Sequence, residues 1–581
     1  MTTTQKNRLA KSALWLLTAA AAAAMVRSLF VGLEIDEEYA LSLGFRLVSG
    51  DRLFATMWEP HQLSALTTAP LVALFLGVTS GTTGLVLFVR VVMLLVKAGL
   101  SFWFYRSLRG ALGGRAAWLL ALGLFVFTPK WFLGPDYVSQ QFHYTLAAFL
   151  FWYGYFAPGP RQGQGVWRVA AGAVCACLSF LAYPQSVAAA PVFLVGMVVL
   201  ARSGKRSIPR GAAVFAVTCG VCGGVFLLWA LQGMAFDFAA LLERITLVLN
   251  DPQYDFTAGE RLAELTGQAL GVVRFSALPL AGTALLTALW VVRCRPGAVR
   301  SVETALWLYT GLLGVWCLLW ALREESLDYR HVYLAATLAG GWTFWADRRR
   351  AQDRGVRQVL FWLGWLPGVA AYLMILRSTL IALPTTFMYL FWPAVCGVAA
   401  LALRHPVFRA GRWGLAALLT VLLLYPTVSR LWLVQVTGWK PHSLADTTLV
   451  RIENGPAKGI WADEKAADMQ ECLYEALAPY GGKQLLQAIG EQHGLGFLMA
   501  DGTMTVAQAS VISGTDSDPR FVQYYEEMPE KLPDVILYDD AEVRDMAAFH
   551  AWIEENLPLA DRYTVTHGTA SLQVLVVDKG A

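Results

Sequence analysis

The residues best suited to chemistry form a short acidic cluster, Asp36, Glu37 and Glu38, directly after the first apolar segment. That segment, Ser12–Leu33, has about the length that a helix needs to cross a membrane. Carboxylates at the mouth of a membrane protein cost free energy unless they are solvated or used. Such a carboxylate can take a proton from a hydroxyl or amine nucleophile. We therefore predict Asp36 as a catalytic base, with Glu37 as the alternative.

The same loop continues with Asp51 and with a Trp-Glu-Pro-His run that ends at His61. Glu59 and His61 are predicted to bind substrate, since a histidine there can contact a phosphate or orient an acid. A competing interpretation makes Asp36 and Glu37 only the solvated start of a helix, where negative charge favours the helix dipole.

A second predicted outer loop places Lys130 and Asp136 among aromatic residues. Both are candidate substrate-binding residues, because an acid in the same cavity can assist the first acid or bind a divalent metal. No cofactor is predicted with certainty, and a divalent metal is left open. Asp136 as an ordinary loop acid is the competing interpretation.

Three further basic residues are predicted to bind substrate. Arg330 and His331 end a short charged loop, where arginine can hold a phosphate through two hydrogen bonds. The competing interpretation is an ion pair between Arg330 and the loop acids Glu325 or Asp328. Arg377 is a further basic group on the predicted outer side.

The composition indicates the elements that must position these residues. The chain has 581 residues, of which 56% are hydrophobic and 15% charged, whereas soluble domains carry about 25% charged residues. Long apolar blocks predict an α-helical polytopic membrane protein with about thirteen spans. The last predicted span is Trp413–Leu431, and the short apolar stretch Leu63–Val78 is predicted to be an interfacial or re-entrant helix.

Charge predicts the orientation. Arg- and Lys-rich joints alternate with acidic ones, which places the N-terminus in the cytoplasm and the C-terminal domain outside a cell membrane. Two domains are predicted, a transmembrane catalytic domain over residues 1–435 and an extracytoplasmic α/β domain over 436–581. In the second domain, four segments are predicted to be strands: Leu449–Ile452, Leu485–Ile489, Asp534–Tyr538 and Leu572–Val577. Two more are predicted to be amphipathic helices, Asp463–Leu477 and Glu542–Asn556.

Two kinds of residue inside the apolar blocks need an interpretation. Arg90 and Lys97 share one face of the second span, and charges within a membrane mark either function or structural pairing. The pairs Cys175/Cys177 and Cys219/Cys222 have no His or polar neighbours typical of a metal site, so they are predicted to pack as small apolar residues.

In the acidic loop the chain resembles the GT-C superfamily of membrane glycosyltransferases, in particular the branch of protein O-mannosyltransferases and aminoarabinose transferases. The residues that carry the resemblance are Asp36-Glu37, Tyr39-Ala40, Gly50-Asp51 and Trp58-Glu59-Pro60-His61. The His-Pro-Pro element of the mannosyltransferases is replaced here by Pro60-His61-Gln62. The resemblance implies an inverting transferase with an essential acid in its first outer loop and a polyprenyl-phosphate-linked sugar as donor.

The predicted function is therefore transfer of a sugar from a polyprenyl-phosphate donor to a glycan, lipid or protein acceptor at the outer membrane face. Membrane lipids are expected partners, and nucleic acid is not. One alternative is a transporter or flippase of lipid-linked sugars, which Arg90 and Lys97 would suit. Another is an assembly or anchoring protein that binds through its outer domain.

Overall fold

The structure is a computed structural model. It describes residues 3–59, 61–79, 81–130, 132–158, 163–203, 210–249, 256–324, 330–350, 353–404, 426–427, 429–435, 441–488, 495–499, 518–538 and 547–579.

Helices dominate the chain up to residue 404. The first nine are α1 (Thr3–Phe30), α2 (Ile35–Val48), α3 (Ala65–Leu76), α4 (Leu85–Leu112), α5 (Gly114–Val126), α6 (Tyr137–Phe156), α7 (Trp167–Ala182), α8 (Ala189–Ser203) and α9 (Arg210–Gly233). The next nine are α10 (Phe238–Leu249), α11 (Ala258–Phe275), α12 (Ala277–Cys294), α13 (Ala298–Glu324), α14 (His331–Ala346), α15 (Arg354–Leu360), α16 (Leu366–Ser378), α17 (Leu383–Thr386) and α18 (Phe391–Arg404). A π-helical turn, Phe361–Trp365, joins α15 to α16.

The chain is a multi-pass helical membrane protein, as the composition predicts. Within the described residues, eight segments are long and apolar enough to cross a membrane. They are α1, α4, α8 with its preceding turn, α9, α12, α13, the continuous α15–α16 segment and the continuous α17–α18 segment.

Four other predicted spans are the helices α5, α6, α7 and α14, which have between 13 and 20 residues. The thirteenth, Trp413–Leu431, lies mostly outside the described residues. The stretch predicted to be interfacial forms α3, whose 12 residues are too few for a full crossing.

Small residues let helices of the bundle approach closely. Gly340 in α14 faces Gly397 in α18, and a Cβ atom on Gly340 would lie 2.4 Å from the Cα of Gly397. Without a strong hydrophobic drive between helices in lipid, such close backbone contact is a main source of packing energy.

The C-terminal region is a small α/β domain, whose described residues form four further helices, α19 (Glu464–Leu477), α20 (Gly496–Met499), α21 (Asp518–Glu527) and α22 (Ala547–Asn556). Its strands are β1 (Leu433–Gln435), β2 (Pro441–Ser443), β3 (Leu449–Arg451), β4 (Trp461–Asp463), β5 (Leu485–Ala488), β6 (Val535–Tyr538), β7 (Leu559–His567) and β8 (Ala570–Val577). The four predicted strands and the predicted helix Asp463–Leu477 are present with small shifts of their ends. The described part of the other predicted helix, Ala547–Asn556, is helical, and residues 542–546 at its predicted start lie outside the described residues, as does Ile489 at the end of one predicted strand. The hairpin partner β7 was not predicted, because its polar and charged residues hide the alternation.

The main sheet has the strand order β5-β6-β8-β7, in which only β5 and β6 are parallel. The domain also contacts the bundle through its backbone. Gly32 N–H donates to the carbonyl of Trp461 at 2.8 Å, and Gly84 N–H donates to that of Gly455 at 3.1 Å. These bonds join the ends of α1 and α4 to the domain.

We expect Gly340→Ala to lower the stability of the detergent-solubilised protein by about 1–3 kcal/mol, since the added methyl group has to displace helix backbone. Gly99→Ala is the matched control, because nothing lies within 4 Å of a Cβ at that exposed position of α4. Thermal melting of both variants checks this. Equal melting temperatures would show that the α14–α18 contact tolerates a wider spacing.

Candidate active site

The predicted acids occupy the first turn of α2. Glu34 precedes the helix in an extended conformation and caps it, accepting a hydrogen bond from Asp36 N–H at 2.8 Å. The next three residues, Asp36, Glu37 and Glu38, are all acidic, and the positive end of the helix dipole favours this placement. Consecutive helical residues point about 100° apart, so each acid meets a different partner.

Asp36 forms an ion pair with Lys130 from the second loop. Their side chains keep 12% and 14% exposure, so water or a ligand can reach the pair. The Lys130 ammonium also donates to the Tyr137 hydroxyl at 3.0 Å and lies 4.4 Å from the centre of that ring. Two residues predicted from separate loops, Asp36 and Lys130, are therefore in contact.

A run of parallel rings borders this ion pair. His61 stacks on Tyr137 with 4.0 Å between ring centres, Tyr137 lies 5.4 Å from Tyr183, and Tyr183 lies 5.6 Å from Tyr389. The stack connects the first loop to the turn before α18. His61 thus lies near Asp36 and Lys130, and its ring face is covered by Tyr137.

Burial and neighbouring charges shift the pKa values of this cluster. Burial raises the pKa of Asp136 to about 6 and raises that of Glu34 well above its ordinary value. Burial acts to lower the pKa of Lys130, but the nearby carboxylates of Asp36, Glu34 and Asp136 raise it overall. Lys130 therefore stays cationic beside these carboxylates.

Asp136 itself caps α6. It accepts hydrogen bonds from Val138 N–H at 2.8 Å and Ser139 N–H at 3.1 Å, and it is fully buried. It lies close enough to Lys130 for its carboxylate to help raise the pKa of that lysine. The capping bonds show that it also has the ordinary structural role of a helix-start acid.

Glu37 is held in the interior. Arg90 of α4 donates to both of its carboxylate oxygens, with Nε at 2.7 Å from Oε1, and also to the carbonyl of Gly32 at 2.8 Å. Both side chains are almost completely buried. A Cβ on Gly134 would lie 2.8 Å from Glu37 Cγ, so the second loop closes over the carboxylate.

Glu38 faces the C-terminal domain. It is buried, and its carboxylate accepts a hydrogen bond from Leu495 N–H at 3.4 Å. Burial raises the pKa of Glu38 well above its ordinary value. The third acid therefore takes part in the contact between α2 and the domain.

Arg46 organises the rest of the first loop. Its guanidinium is fully buried, lies 2.6 Å from Asp51, pairs with Glu59 and donates to the carbonyl of Thr56. Lys531 of the C-terminal domain reaches the other oxygen of Asp51 at 2.5 Å. Although burial opposes ionisation, these two cations lower the pKa of Asp51. Glu59, predicted to bind substrate, has no exposed surface here.

The later basic candidates lie further along the same end of the bundle. His331 is buried against Phe275 at 4.7 Å and Phe387 at 5.4 Å, and Arg330 precedes it at the start of α14. Arg377 is exposed in the last turn of α16. Ile375, two residues earlier, packs with Tyr137 and Tyr183. No contact of Arg330, His331 or Arg377 with Asp36 is seen among the described residues.

An apolar cleft opens beside the ion pair. Pro129 and Val138, the neighbours of Lys130 and Tyr137 in the chain, line it together with Tyr389. Its walls descend along α6, α7, α16 and α18, and the cavity between them is tight, with a volume of about 40 Å³. The remaining lining residues include Phe142, Ala148, Ala176, Phe180, Phe193, Gly364, Ala371, Met388 and Trp392.

Several members of the site were not predicted. Glu34 directly follows the predicted first span. Its role as a helix cap could not be predicted, because that role depends on where α2 begins. Tyr183 and Tyr389 come from distant segments, and interfacial tyrosines are common enough to carry no signal by themselves. Within the described part of the chain, no three His, Cys, Asp or Glu side chains are grouped to hold a metal ion.

Comparisons with known proteins found similarity to solved structures only at the level of the coordinates. No protein-family model matches the chain, and no curated protein matches its sequence. The chain is similar to a solved structure described as the crystal structure of ArnT from Cupriavidus metallidurans in the apo state. The two share 13% sequence identity and a TM-score of 0.37 over 98% of each chain. A TM-score this low does not establish a shared fold or activity.

We expect Glu37→Gln to destabilise the protein by about 3–5 kcal/mol, because it leaves the buried Arg90 without its counter-charge. The double variant Glu37→Gln/Arg90→Met removes both charges and should recover a large part of that loss. Thermal melting in detergent checks both. If Glu37→Gln melts like the native protein, Glu37 is not needed for packing and its case as a catalytic residue is strengthened.

A second expectation concerns pH. Burial, with Lys130 nearby, lowers the pKa of His61 to about 4, from about 6.5 in an unfolded chain. Between these two pH values His61 binds more protons in the unfolded state than in the folded state. The neutral His61 therefore contributes fully to the free energy of unfolding above pH 6.5, and this contribution is lost as the pH falls towards 4. His61→Phe keeps the stacking on Tyr137 but cannot titrate. Its melting temperature should fall less than that of the native protein from pH 7 to pH 4.5, and parallel curves would contradict this.

Proposed function

We propose that this protein is a GT-C-type inverting glycosyltransferase that moves a sugar from a polyprenyl-phosphate donor to an acceptor at the outer face of a cell membrane. The observation that carries the proposal is the Asp36–Lys130 ion pair, partly exposed beside an apolar cleft. Glu37, Asp51 and Glu59, the other acids of the motif, are paired with buried arginines. Asp36 is therefore the acid that a substrate can reach.

The two charges suit the two halves of the reaction. Lys130 binds the donor phosphate and stabilises the negative charge that grows on it as the bond from the sugar C1 to the phosphate oxygen breaks. Asp36 takes the proton of the acceptor hydroxyl while its oxygen attacks C1 from the opposite face. The products are the glycosylated acceptor and a polyprenyl phosphate, and the proton stays on Asp36 until water removes it.

The cleft suits the lipid part of the donor. Its walls are mostly apolar, with four polar side chains among them, and Pro129, next to Lys130 in the chain, is one of its lining residues. A prenyl chain can therefore lie in it with its phosphate at the ammonium. Because the interior is tight, the chain has to part α6 from α16 as it enters. The exposed Arg377 and the half-buried Arg330 are proposed to assist in holding the phosphate.

Orientation follows from charge. The end of the bundle that carries α2 and the C-terminal domain is proposed to face outward. The opposite end carries Arg348, Arg354 and Arg404, which suits the cytoplasmic side.

The transporter alternative loses its main support. Arg90 is neutralised by Glu37, and Lys97 donates to the backbone carbonyl of Phe127. Both intramembrane cations thus have structural partners, which removes the need to assign them to a transport path.

We expect Asp36→Asn to reduce turnover by about two to four orders of magnitude, the usual contribution of a positioned base, with donor binding largely retained. Asp237→Asn is the matched control, because Asp237 also starts a helix, α10, and lies away from the cleft. Sugar transfer from a radiolabelled polyprenyl-phosphate donor, in membranes containing equal amounts of folded protein, measures the effect. Undiminished turnover in Asp36→Asn would reject the assignment of the base.

Lys130 allows a test of the donor half. Lys130→Ala should weaken donor binding and lower turnover together, whereas Asp36→Asn should lower turnover with little effect on donor binding. Binding of the intact donor is measured without any acceptor, so it does not depend on which acceptor is supplied. Equal donor affinity in Lys130→Ala and the native protein would assign the phosphate to Arg330 or Arg377 instead.

A further inference from the structure

A second cavity lies at the opposite end of the bundle from α2. It has a volume of about 390 Å³ and is formed where α14 ends, α15 begins and the π-helical turn Phe361–Trp365 follows. Its polar lining consists of Arg348, Arg354, Arg357, Gln358 and Asp347. Neither the predicted site nor the proposed reaction uses it.

The charges of this cavity are unbalanced. Asp347 is its one acid, and Arg404 already pairs with both carboxylate oxygens of Asp347 while Arg357 lies 3.8 Å away. The positive charges of Arg348 and Arg354 therefore exceed what the acid can neutralise. Both side chains are exposed, so they are available to an anion without breaking the buried network.

The opposite wall of the cavity is aromatic. Phe361 and Trp365 stack with 5.7 Å between ring centres, and Phe344 lies 5.3 Å from Phe361. Trp345 keeps 45% exposure, and the Arg348 guanidinium lies 4.2 Å from its ring centre.

The π-helical turn explains this arrangement. One extra residue in a turn shifts the side-chain register, and such turns occur often at functional sites. Here the turn supplies Phe361, Trp362 and Trp365 to the same cavity. In addition, Gly341 leaves room for Trp365, since a Cβ there would lie 2.7 Å from its ring.

We propose that this cavity binds the phosphate headgroup of an anionic phospholipid from the adjacent leaflet, with Arg348 and Arg354 on the phosphate and the acyl chains against Trp345 and Trp362. Arginine gives phosphate two parallel hydrogen bonds, and tryptophan is the side chain that prefers the boundary between lipid and water. One wall of the cavity belongs to the segment Arg354–Ser378, which is long and apolar enough to cross a membrane, so a lipid can reach the cavity sideways. A water-soluble phosphate would gain nothing from the aromatic wall.

The test is native mass spectrometry of the full chain in detergent, titrated with phosphatidylglycerol. Each of Arg348→Ala and Arg354→Ala should weaken binding about fivefold, since a basic residue near an anionic lipid contributes roughly 1 kcal/mol. Arg349→Ala is the matched control, because Arg349 is exposed, adjacent in the chain and outside the cavity lining. It should bind like the native protein. Phosphatidylcholine should bind the native protein more weakly than phosphatidylglycerol does.

Two further arms separate the sources of the phosphate. Glycerol 3-phosphate, a headgroup without acyl chains, should compete poorly, and Trp345→Ala should weaken the binding of phosphatidylglycerol. If glycerol 3-phosphate competes as well as the lipid and Trp345→Ala has no effect, the site is one for soluble phosphates and the proposal is overturned. It is also overturned if Arg349→Ala weakens binding as much as Arg348→Ala, since that result describes a diffuse surface charge. Melting temperatures in lipid-free detergent confirm that each variant remains folded.

Discussion

The geometry of the site depends on one buried ion pair, between Arg90 inside a membrane-spanning helix and Glu37 in the first turn of α2. An arginine in that place is costly unless it is neutralised, and so is a carboxylate without exposure. The requirement that the two meet fixes the position and rotation of α2 on the bundle. Once Glu37 points inward, Asp36 must point elsewhere, and the direction left to it leads to Lys130. The pair that we propose to be catalytic thus takes its place from a neighbouring pair that is structural.

The C-terminal domain also holds α2 and the first loop in place. It contacts Glu38 of α2, and its Lys531 forms an ion pair with Asp51. Its Trp461 carbonyl also accepts a hydrogen bond from Gly32 N–H, just after α1. Arg46, buried between Asp51 and Glu59, keeps the first loop rigid enough to form that contact. A domain that looks separate in the sequence therefore helps to hold the loop that bears the acids. This gives it a role in the proposed transferase that does not require any binding function of its own.

The two ends of the bundle differ in their chemistry. At the α2 end, acids outnumber Lys130, so that the ammonium is kept cationic and close to a cleft that suits a lipid tail. At the other end arginines outnumber Asp347, and aromatic rings from a π-helical turn line the space between them. Both sites combine cations with apolar walls, which is the combination that a lipid phosphate needs. One is proposed to hold a substrate, and the other a lipid that is not consumed.

The sequence by itself determined the class of the protein and the two residues that now meet in the candidate site. Composition and long apolar blocks indicate a membrane bundle, because the chain has too few charged residues to cover the surface of a soluble protein. Asp36 and Lys130 could be singled out because a charge beside a span has to be explained. Which acid is accessible, however, was left open between Asp36 and Glu37. Only the tertiary structure decided this, since it depends on Arg90, distant in sequence but packed against Glu37. For the same reason, the sequence could not show that Glu59 is buried in an ion pair with Arg46. The ring stack of His61, Tyr137, Tyr183 and Tyr389 also had no signal in the sequence, because four separate segments contribute one ring each.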